Sequence, residues 1–150
     1  MRRFRFRLER VLRYRETREE IAYRAVQEAA RQRAQLQEQI RALTEQMRQL
    51  ASATLHPHEW AQREQTLDAL QTRLQRLQDT LPLLLEQEAH AREVYLQARR
   101  EREALTQLRI RAYEQHQQEM NRLMQYAIDE AAVYAYQRRL SEDTGAGAGD

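Results

Sequence analysis

The sequence has no cysteine and no lysine, and it has only three glycines and two prolines. All three glycines lie in the last six residues, GAGAGD, and the prolines are Pro57 and Pro82. Without cysteine, the chain has no disulfide, no thiolate nucleophile and no cysteine ligand for zinc. Because so little Gly and Pro is available, a sheet protein with many turns is excluded, and long helices are expected.

Long hydrophobic runs are also missing. No apolar run approaches the roughly 18 to 20 residues that a membrane span needs, and the first residues lack the apolar core of a signal peptide. We therefore expect a soluble, cytoplasmic protein. Since 32% of the residues are charged and the mean hydropathy is −0.95, a thick core is excluded, and the apolar residues are expected to form a narrow helical stripe.

The apolar residues that are present repeat at alternating intervals of four and three, which is the heptad pattern of a coiled coil. The first series collects Leu8, Leu12, Ala22, Val26, Ala29, Leu36, Ile40, Leu43, Met47 and Leu50. The second collects Trp60, Leu67, Leu70, Leu74, Leu77, Leu81, Leu84, Ala91, Tyr95, Ala98 and Leu105. Three positions of the first series are charged, Arg15, Glu19 and Arg33, and they predict a weak stretch of seam that a partner shares.

The segment between the two series predicts a reversal of the chain, because Pro57 suits the first turn of a new helix. The fold class is therefore all-α, with two long helices in an antiparallel coiled-coil hairpin. We predict one domain over 1–140, with a helix over about 3–54, a turn over about 55–58 and a longer helix over about 59–139. A disordered acidic, Gly/Ala-rich tail is predicted over 141–150.

Pro82 lies inside the second heptad series. A proline removes one backbone donor from a helix, so the Gln78 carbonyl loses its partner there. We therefore predict that the second helix is kinked near Pro82.

The second helix is predicted to be much longer than the first, so its distal part has no partner in the hairpin. From about Ile110 onward it still carries Tyr113, Met120, Leu123, Met124, Ala127, Ile128, Ala131, Tyr134 and Tyr136. An unpartnered apolar stripe is typical of a binding surface, and methionines suit variable neighbours. A third, folded-back segment and a homodimer are the alternatives.

Positive charge is concentrated at the N-terminal end. Residues 1–18 contain eight Arg and two Glu, a local charge of 8 − 2 = +6, although the net charge of the chain is only +2. Aromatic and aliphatic residues alternate with these arginines. The segment is therefore a candidate contact surface, and the alternative is a frayed, solvated end.

No motif of an enzyme or of a cofactor site is found. The chain has no Gly-rich phosphate loop, no nucleophile motif and no cluster of His and acidic residues with metal-ligand spacing. His56 and His58 are interpreted as solvated turn residues. We therefore predict a protein that is not an enzyme and that has no catalytic residues, no cofactor and no metal.

Two segments resemble the flagellar export protein family FliJ. The opening FRFRLERVLRYRE is similar to the N-terminal signature of that family, and LTQLRIRAYEQHQQEMNRLMQYAIDEAAVYAYQRR is similar to its C-terminal stretch. The second segment includes Tyr113-Glu114, Asp129-Glu130 and a basic end at Arg138. The resemblance covers roughly residues 2–139. Pro82, Gln125 and Ala127 depart from the family pattern.

The resemblance implies a stalk-like coiled coil that inserts its paired ends into the hexameric export ATPase (FliI-like) and promotes ring assembly. It also implies contacts with the export gate protein (FlhA-like) and with export chaperones. On this interpretation the ATPase-ring contact is made by Arg2, Arg3, Phe4, Arg5, Phe6, Arg7, Arg10, Arg13, Met120, Met124, Asp129 and Glu130. The arginines would meet carboxylates of the ring, and Phe4 and Phe6 would be apolar anchors.

The export-gate contact is predicted on the second helix just after the turn. Its residues are Thr66, Leu67, Leu70, Leu74 and Leu77, on the argument that one narrow seam cannot hold all four leucines. We expect a monomer that is peripheral, through its partners, at the cytoplasmic face of the inner membrane.

The alternatives are a stalk of the virulence-type injectisome, an Arg-rich nucleic-acid-binding protein and a structural filament. Direct nucleic-acid binding is disfavoured, because the N-terminal arginines are expected to project all around a helix rather than along one face.

Overall fold

The computed structural model describes residues 2–147, and it contains two long α-helices. Helix α1 spans Glu9–Ser52 and helix α2 spans Trp60–Ala146, with a 3-10 turn at Pro57–Glu59 between them. No strand occurs within residues 2–147, and the all-α prediction is confirmed. None of the described helices is long and apolar enough to cross a membrane.

The contacts divide the chain into two compact units. We call Leu12–Glu103 the hairpin unit, and Met1–Val11 together with Ala104–Asp150 the terminal unit. Whether residues 1–140 form a single domain stays a prediction.

The hairpin unit is an antiparallel pair of helix segments. Arg33 of α1 contacts Glu88 of α2, whereas Glu19, earlier in α1, contacts Arg102, later in α2. Partner numbers therefore fall along α2 as they rise along α1, which is the arrangement expected of a hairpin. The prediction of an antiparallel hairpin is confirmed.

Burial in the hairpin unit follows the predicted heptads. All positions of the first series from 12 to 50 are buried or half-buried, and the positions between them are exposed with the exception of Ala30. The buried apolar residues are Leu12, Ala22, Leu36, Leu43, Leu74 and Ala98. Fully burying a leucine stabilises a fold by about 1.5–3 kcal/mol. Trp60, the first residue of α2, is 52% exposed.

The charged positions of the seam are paired within the chain. Glu88 is only 3% exposed, and it accepts hydrogen bonds from Arg33 Nε at 2.5 Å and from Arg92 Nη2 at 2.7 Å. A buried carboxylate is costly unless it is paired in this way. Arg33 is therefore paired within the chain, and this position of the weak seam needs no partner protein to neutralise its charge.

The same holds for Arg15 and Glu19. Arg15 donates to Glu101. Arg102 donates to both carboxylate oxygens of Glu19, at 2.6 and 3.1 Å. These hydrogen bonds hold the pKa of the Glu19 carboxyl below its ordinary value, against a smaller opposing effect of burial. All three charged exceptions of the first series are therefore part of the intramolecular seam.

The turn is closed by local hydrogen bonds. The Glu59 backbone N–H donates to the His56 carbonyl at 2.9 Å, and the His56 N–H donates to the Glu59 carboxylate at 3.3 Å. Pro57 occupies the first position of the 3-10 turn, where its missing N–H costs nothing. The His56 and His58 rings stack at 5.6 Å, and both residues are exposed.

Two predicted helix ends are corrected. Helix α1 begins at Glu9 rather than near residue 3, and residues 2–6 have no regular structure. Helix α2 continues beyond 139 to Ala146, because residues 140–144 contain no glycine or proline to stop it. Residues 141–146 of the predicted disordered tail are therefore helical, and residues 148–150 lie outside the described part.

Helix α2 runs through Pro82 without a break in its helical assignment. Pro82 and Gln78 are both exposed, so water can reach the Gln78 carbonyl that lacks a backbone donor. The predicted kink stays a prediction.

Candidate functional site

The basic N-terminal segment has no regular structure over residues 2–6, and its Phe4 contacts α2 within the terminal unit. Its residues alternate in burial: Phe4 and Phe6 are half-buried, whereas Arg3, Arg5 and Arg7 are exposed. The alternation FRFR thus leaves the two phenylalanines less exposed than the arginines beside them. Helix α1 then begins at Glu9, whose N–H donates to the Phe6 carbonyl at 3.2 Å.

This arrangement corrects the expectation that the N-terminal arginines project around a helix. Arg2, Arg3, Arg5 and Arg7 all precede the first residue of α1. Glu9 is the first helical residue, and its negative charge suits the positive end of the helix dipole. We call residues 2–6 the N-terminal arm.

Phe4 fixes the arm to α2. Its ring meets Tyr113 edge-on, with centroids 5.3 Å apart and planes at 79°, and it meets His116 at 5.5 Å and 48°. Edge-to-face geometry is a preferred arrangement of aromatic rings. The role of Phe4 as an anchor in the ATPase ring stays a prediction, but its ring already has two partners in this chain.

The arm and α2 enclose a groove of about 1050 Å³. It is lined by Arg2, Arg3, Phe4, Arg5, Ala112, Gln115, His116, Glu119, Met120, Leu123, Met124 and Ala127. The structure thus brings together six of the twelve residues predicted to contact the ATPase ring, four from the arm and two methionines from α2.

The other six predicted ring residues do not line this groove. Phe6 is half-buried, and Arg7, Arg10 and Arg13 are exposed. Arg13 belongs to the hairpin unit.

Asp129 and Glu130 line a separate, shallow depression with Tyr126, Val133 and Tyr134. The Gln125 side chain donates to Asp129 Oδ1 at 3.1 Å. The structure therefore does not place this acidic pair in the groove.

The distal part of α2 presents its apolar residues to solvent. Every residue from 121 to 147 is exposed, including Leu123, Met124, Tyr126, Ile128, Val133, Tyr134, Tyr136 and Leu140. Tyr134 is 65% exposed. Because α2 itself continues to Ala146, the alternative of a folded-back third segment is wrong for the described residues.

The predicted gate residues are less exposed than a contact surface requires, with the exception of Thr66. Leu74 is buried, and Leu67, Leu70 and Leu77 are half-buried in the seam of the hairpin unit. The premise that the seam cannot hold all four leucines is therefore wrong. Only Thr66 is exposed, and its hydroxyl donates to the Gln62 carbonyl at 2.9 Å. The gate contact itself stays a prediction.

The sequence interpretation missed Tyr113 and His116 as the site where the arm binds. The available signal was the alternation of Phe and Arg in FRFR, because its period of two does not fit the helix period of the residues that follow. The heptad pattern that begins at Leu8 instead favoured a helix that includes these residues.

A family model described as Flagellar FliJ protein matches residues 4–141. A search of curated proteins and a search of solved structures each gave no match. The matched range includes residues 4–6 of the arm, the whole hairpin unit and residues 121–141 of the exposed distal part of α2.

Proposed function

Because the chain belongs to the flagellar FliJ family, we propose that it is a non-catalytic stalk of the flagellar type III export apparatus whose terminal unit binds the hexameric export ATPase. The observation that carries this proposal is the pairing, in one unit, of an arginine-rich arm with an exposed apolar helix face.

The two features suit different parts of a protein contact. Exposed guanidinium groups govern the rate and the register of association with a surface that carries carboxylates. Large exposed apolar side chains, such as Leu123, Met124 and Tyr134, supply area that a partner can bury. The ring contact proposed for Arg2, Arg3, Phe4, Arg5, Phe6, Arg7, Arg10, Arg13, Met120, Met124, Asp129 and Glu130 uses both.

The hairpin unit would join the ATPase to the other components of export. On this proposal the region of α2 after the turn binds the export gate protein, through exposed residues around Thr66, and export chaperones bind elsewhere on the helices. The protein acts as a monomer at the cytoplasmic face of the inner membrane, and it reaches the membrane only through its partners. The flagellar family match favours this role over that of an injectisome stalk.

Charge reversal in the N-terminal region tests the proposal. The triple variant Arg5→Glu, Arg7→Glu and Arg10→Glu changes the charge by about six units at exposed positions. Because exposed charges contribute only about 0–1 kcal/mol per pair to folding, its helicity should match that of the wild type. Wild-type protein should accelerate hexamer assembly and ATP hydrolysis by the export ATPase in a salt-sensitive way, and the triple variant should not.

A matched control carries the same change of charge elsewhere, in Arg73→Glu, Arg76→Glu and Arg100→Glu, which are also exposed. It should stimulate the ATPase as the wild type does. Equal stimulation by both triple variants would show that the N-terminal arginines do not carry the contact.

A further inference from the structure

The N-terminal arm forms one wall of the groove, so its position decides whether the groove exists. Arg2, Arg3 and Arg5 come from the arm, whereas Met120, Leu123 and Met124 come from α2. The aromatic contacts of Phe4 with Tyr113 and His116 hold the arm on the helix.

The lining of the groove has a definite chemical character. It includes three guanidinium groups and one carboxylate, that of Glu119, and its α2 side is mostly Met, Leu and Ala. Methionine side chains are flexible and polarizable, so they adapt to apolar side chains of different shapes. Charge complementarity therefore favours an occupant that is acidic on one side and apolar on the other.

We propose that Tyr113 and His116 are positioning residues that seat Phe4 and so align Arg2, Arg3 and Arg5 along a groove that binds an acidic, amphipathic helical segment of a partner protein. The apolar face of that segment lies on Met120 and Leu123, as in helix-in-groove recognition, and its carboxylates meet the guanidinium groups, whose planar forks match carboxylate geometry. This inference rests on the proposed function, in which the partner is a subunit of the ATPase ring.

A nucleic acid is the less suitable occupant. A polyanion would use the arginines, but it would leave Met120, Leu123 and Met124 without apolar partners, whereas a protein segment with an apolar face uses both parts of the groove. The two occupants would also differ in salt dependence. Nucleic-acid affinity falls steeply with salt, whereas burial of apolar side chains does not weaken in this way.

Direct binding of designed peptides to the full-length protein tests the inference. The probes are a fluorescent helical peptide with Leu on one face and Glu on the other, the same peptide with Lys in place of Glu, and a single-stranded oligonucleotide. The Glu peptide should bind at least tenfold more tightly than the other two in moderate salt. Tighter binding of the Lys peptide or of the oligonucleotide overturns the proposal.

Variants of Tyr113 and His116, which we call the seat of Phe4, distinguish a positioning role from a role in packing alone. The double variant Tyr113→Ala, His116→Ala should weaken binding of the Glu peptide about tenfold or more. Tyr113→Phe keeps the ring against Phe4 and should bind like the wild type, as should the control Trp60→Ala, which alters an exposed aromatic residue of the hairpin unit. If the double variant binds the Glu peptide as tightly as the wild type while its helicity is unchanged, the seat has no positioning role.

The chain has no cysteine, so a single Arg3→Cys substitution accepts one spin label on the arm. The label should become more mobile in the background of Tyr113→Ala, His116→Ala and stay restricted in that of Tyr113→Phe. Equal mobility in both backgrounds would show that Tyr113 and His116 do not hold the arm on α2.

Binding to the intact export ATPase distinguishes this inference from the proposed function. If wild type and double variant bind the ATPase equally, the inference fails and the proposed function stands. If the Glu peptide binds as expected but the ATPase does not bind, the proposed function fails and the chemistry of the groove stands.

Discussion

Glu88 of α2 lies between Arg33 of α1 and Arg92 of its own helix, and it is the buried polar residue in the described part of the chain. The antiparallel arrangement of α1 and α2 places Arg33 opposite Glu88, so that two opposite charges meet. In a parallel, in-register pairing of two copies, Arg33 would face Arg33 and Glu88 would face Glu88. Buried polar pairs are best attested as devices that fix register, so this pair favours the hairpin over a parallel dimer.

Removing the Glu88 carboxylate should destabilise the hairpin. Glu88→Ala leaves Arg33 with a half-buried guanidinium group and no carboxylate partner, so we expect the free energy of unfolding to fall by about 1–3 kcal/mol. Urea denaturation followed by circular dichroism measures it. Glu86→Ala, at an exposed position two residues earlier, should stay within about 0.5 kcal/mol of the wild type. A double-mutant cycle with Arg33→Ala that shows no coupling would contradict the pair's role.

Acid should weaken the hairpin through Glu19. Hydrogen bonds from Arg102 lower the pKa of Glu19 in the folded chain, so the folded state binds a proton there less readily than the unfolded chain. The resulting stabilisation is fully present above the ordinary glutamate pKa of about 4.3, and it is lost as the pH falls through the lowered pKa.

Glu19→Gln should therefore be less stable than the wild type by about 1 kcal/mol at pH 7. That difference should shrink as the pH falls through the lowered pKa of Glu19, because protonation of wild-type Glu19 removes the same interaction. Thermal melts over this pH range measure it. Glu64→Gln, at an exposed position, is the control, and a Glu19→Gln deficit that persists unchanged in acid would contradict the assignment.

An aspartate in the seam should disrupt the hairpin. Leu43 is 6% exposed, and a carboxylate there would be buried without a partner, which destabilises strongly. Leu43→Asp should lower the helicity and broaden the thermal transition, and Leu43→Ala should cost about 2–5 kcal/mol. Leu83→Asp, at a position 58% exposed, should melt like the wild type. The wild type should sediment as a monomer with its two arms close in a spin-label distance measurement.

The hairpin could be predicted from sequence because its signals are local and repeated. The heptads give the seam from Leu12 to Leu50, and Pro57 gives the turn. The charged seam positions Arg15, Glu19 and Arg33 were found but misinterpreted, because their partners lie more than fifty residues away on α2 and no local pattern identifies them.

The candidate site was predicted less well. The composition of the arm predicts a contact surface, and Phe4 is predicted to be an apolar anchor for the ATPase ring rather than a residue with partners in this chain. Its actual partners, Tyr113 and His116, come from the stretch of α2 that was expected to have none. The contacts of a short irregular segment with a distant helix leave no periodic pattern in the sequence of that helix. Residues 2–6 could therefore be identified from sequence as a contact surface, but their partners on α2 could not.

The gate contact can now be tested with less risk of unfolding. Thr66 is exposed, whereas Leu74 is buried and Leu77 is half-buried in the seam. Thr66→Ala should leave helicity and ATPase binding unchanged and should weaken binding to the export gate protein severalfold, measured by pull-down with the purified gate protein. Leu77→Ala should weaken gate binding and also lower the melting temperature. Loss of gate binding only in the destabilised variant would show that Thr66 makes no contact.

Truncation separates the exposed distal helix from the rest of the fold. All residues from 121 to 147 are exposed, so a chain that ends after Met120 loses no buried side chain. Its helical signal should fall only by the share of the removed residues, and its unfolding midpoint should stay within a few degrees of that of the wild type.

The same truncation should abolish most of the ATPase stimulation, because it removes Leu123, Met124 and the Asp129-Glu130 pair while it keeps the arm and its contact with Tyr113. A chain that ends after Arg138 is the matched control; it keeps those residues, and it should stimulate the ATPase as the full chain does. The measurement compares the rates of hexamer assembly and of ATP hydrolysis by the export ATPase in the presence of each of the three chains. Full stimulation by the chain ending at Met120 would confine the ring contact to residues that this chain keeps, which are the N-terminal arginines and the part of the groove up to Met120.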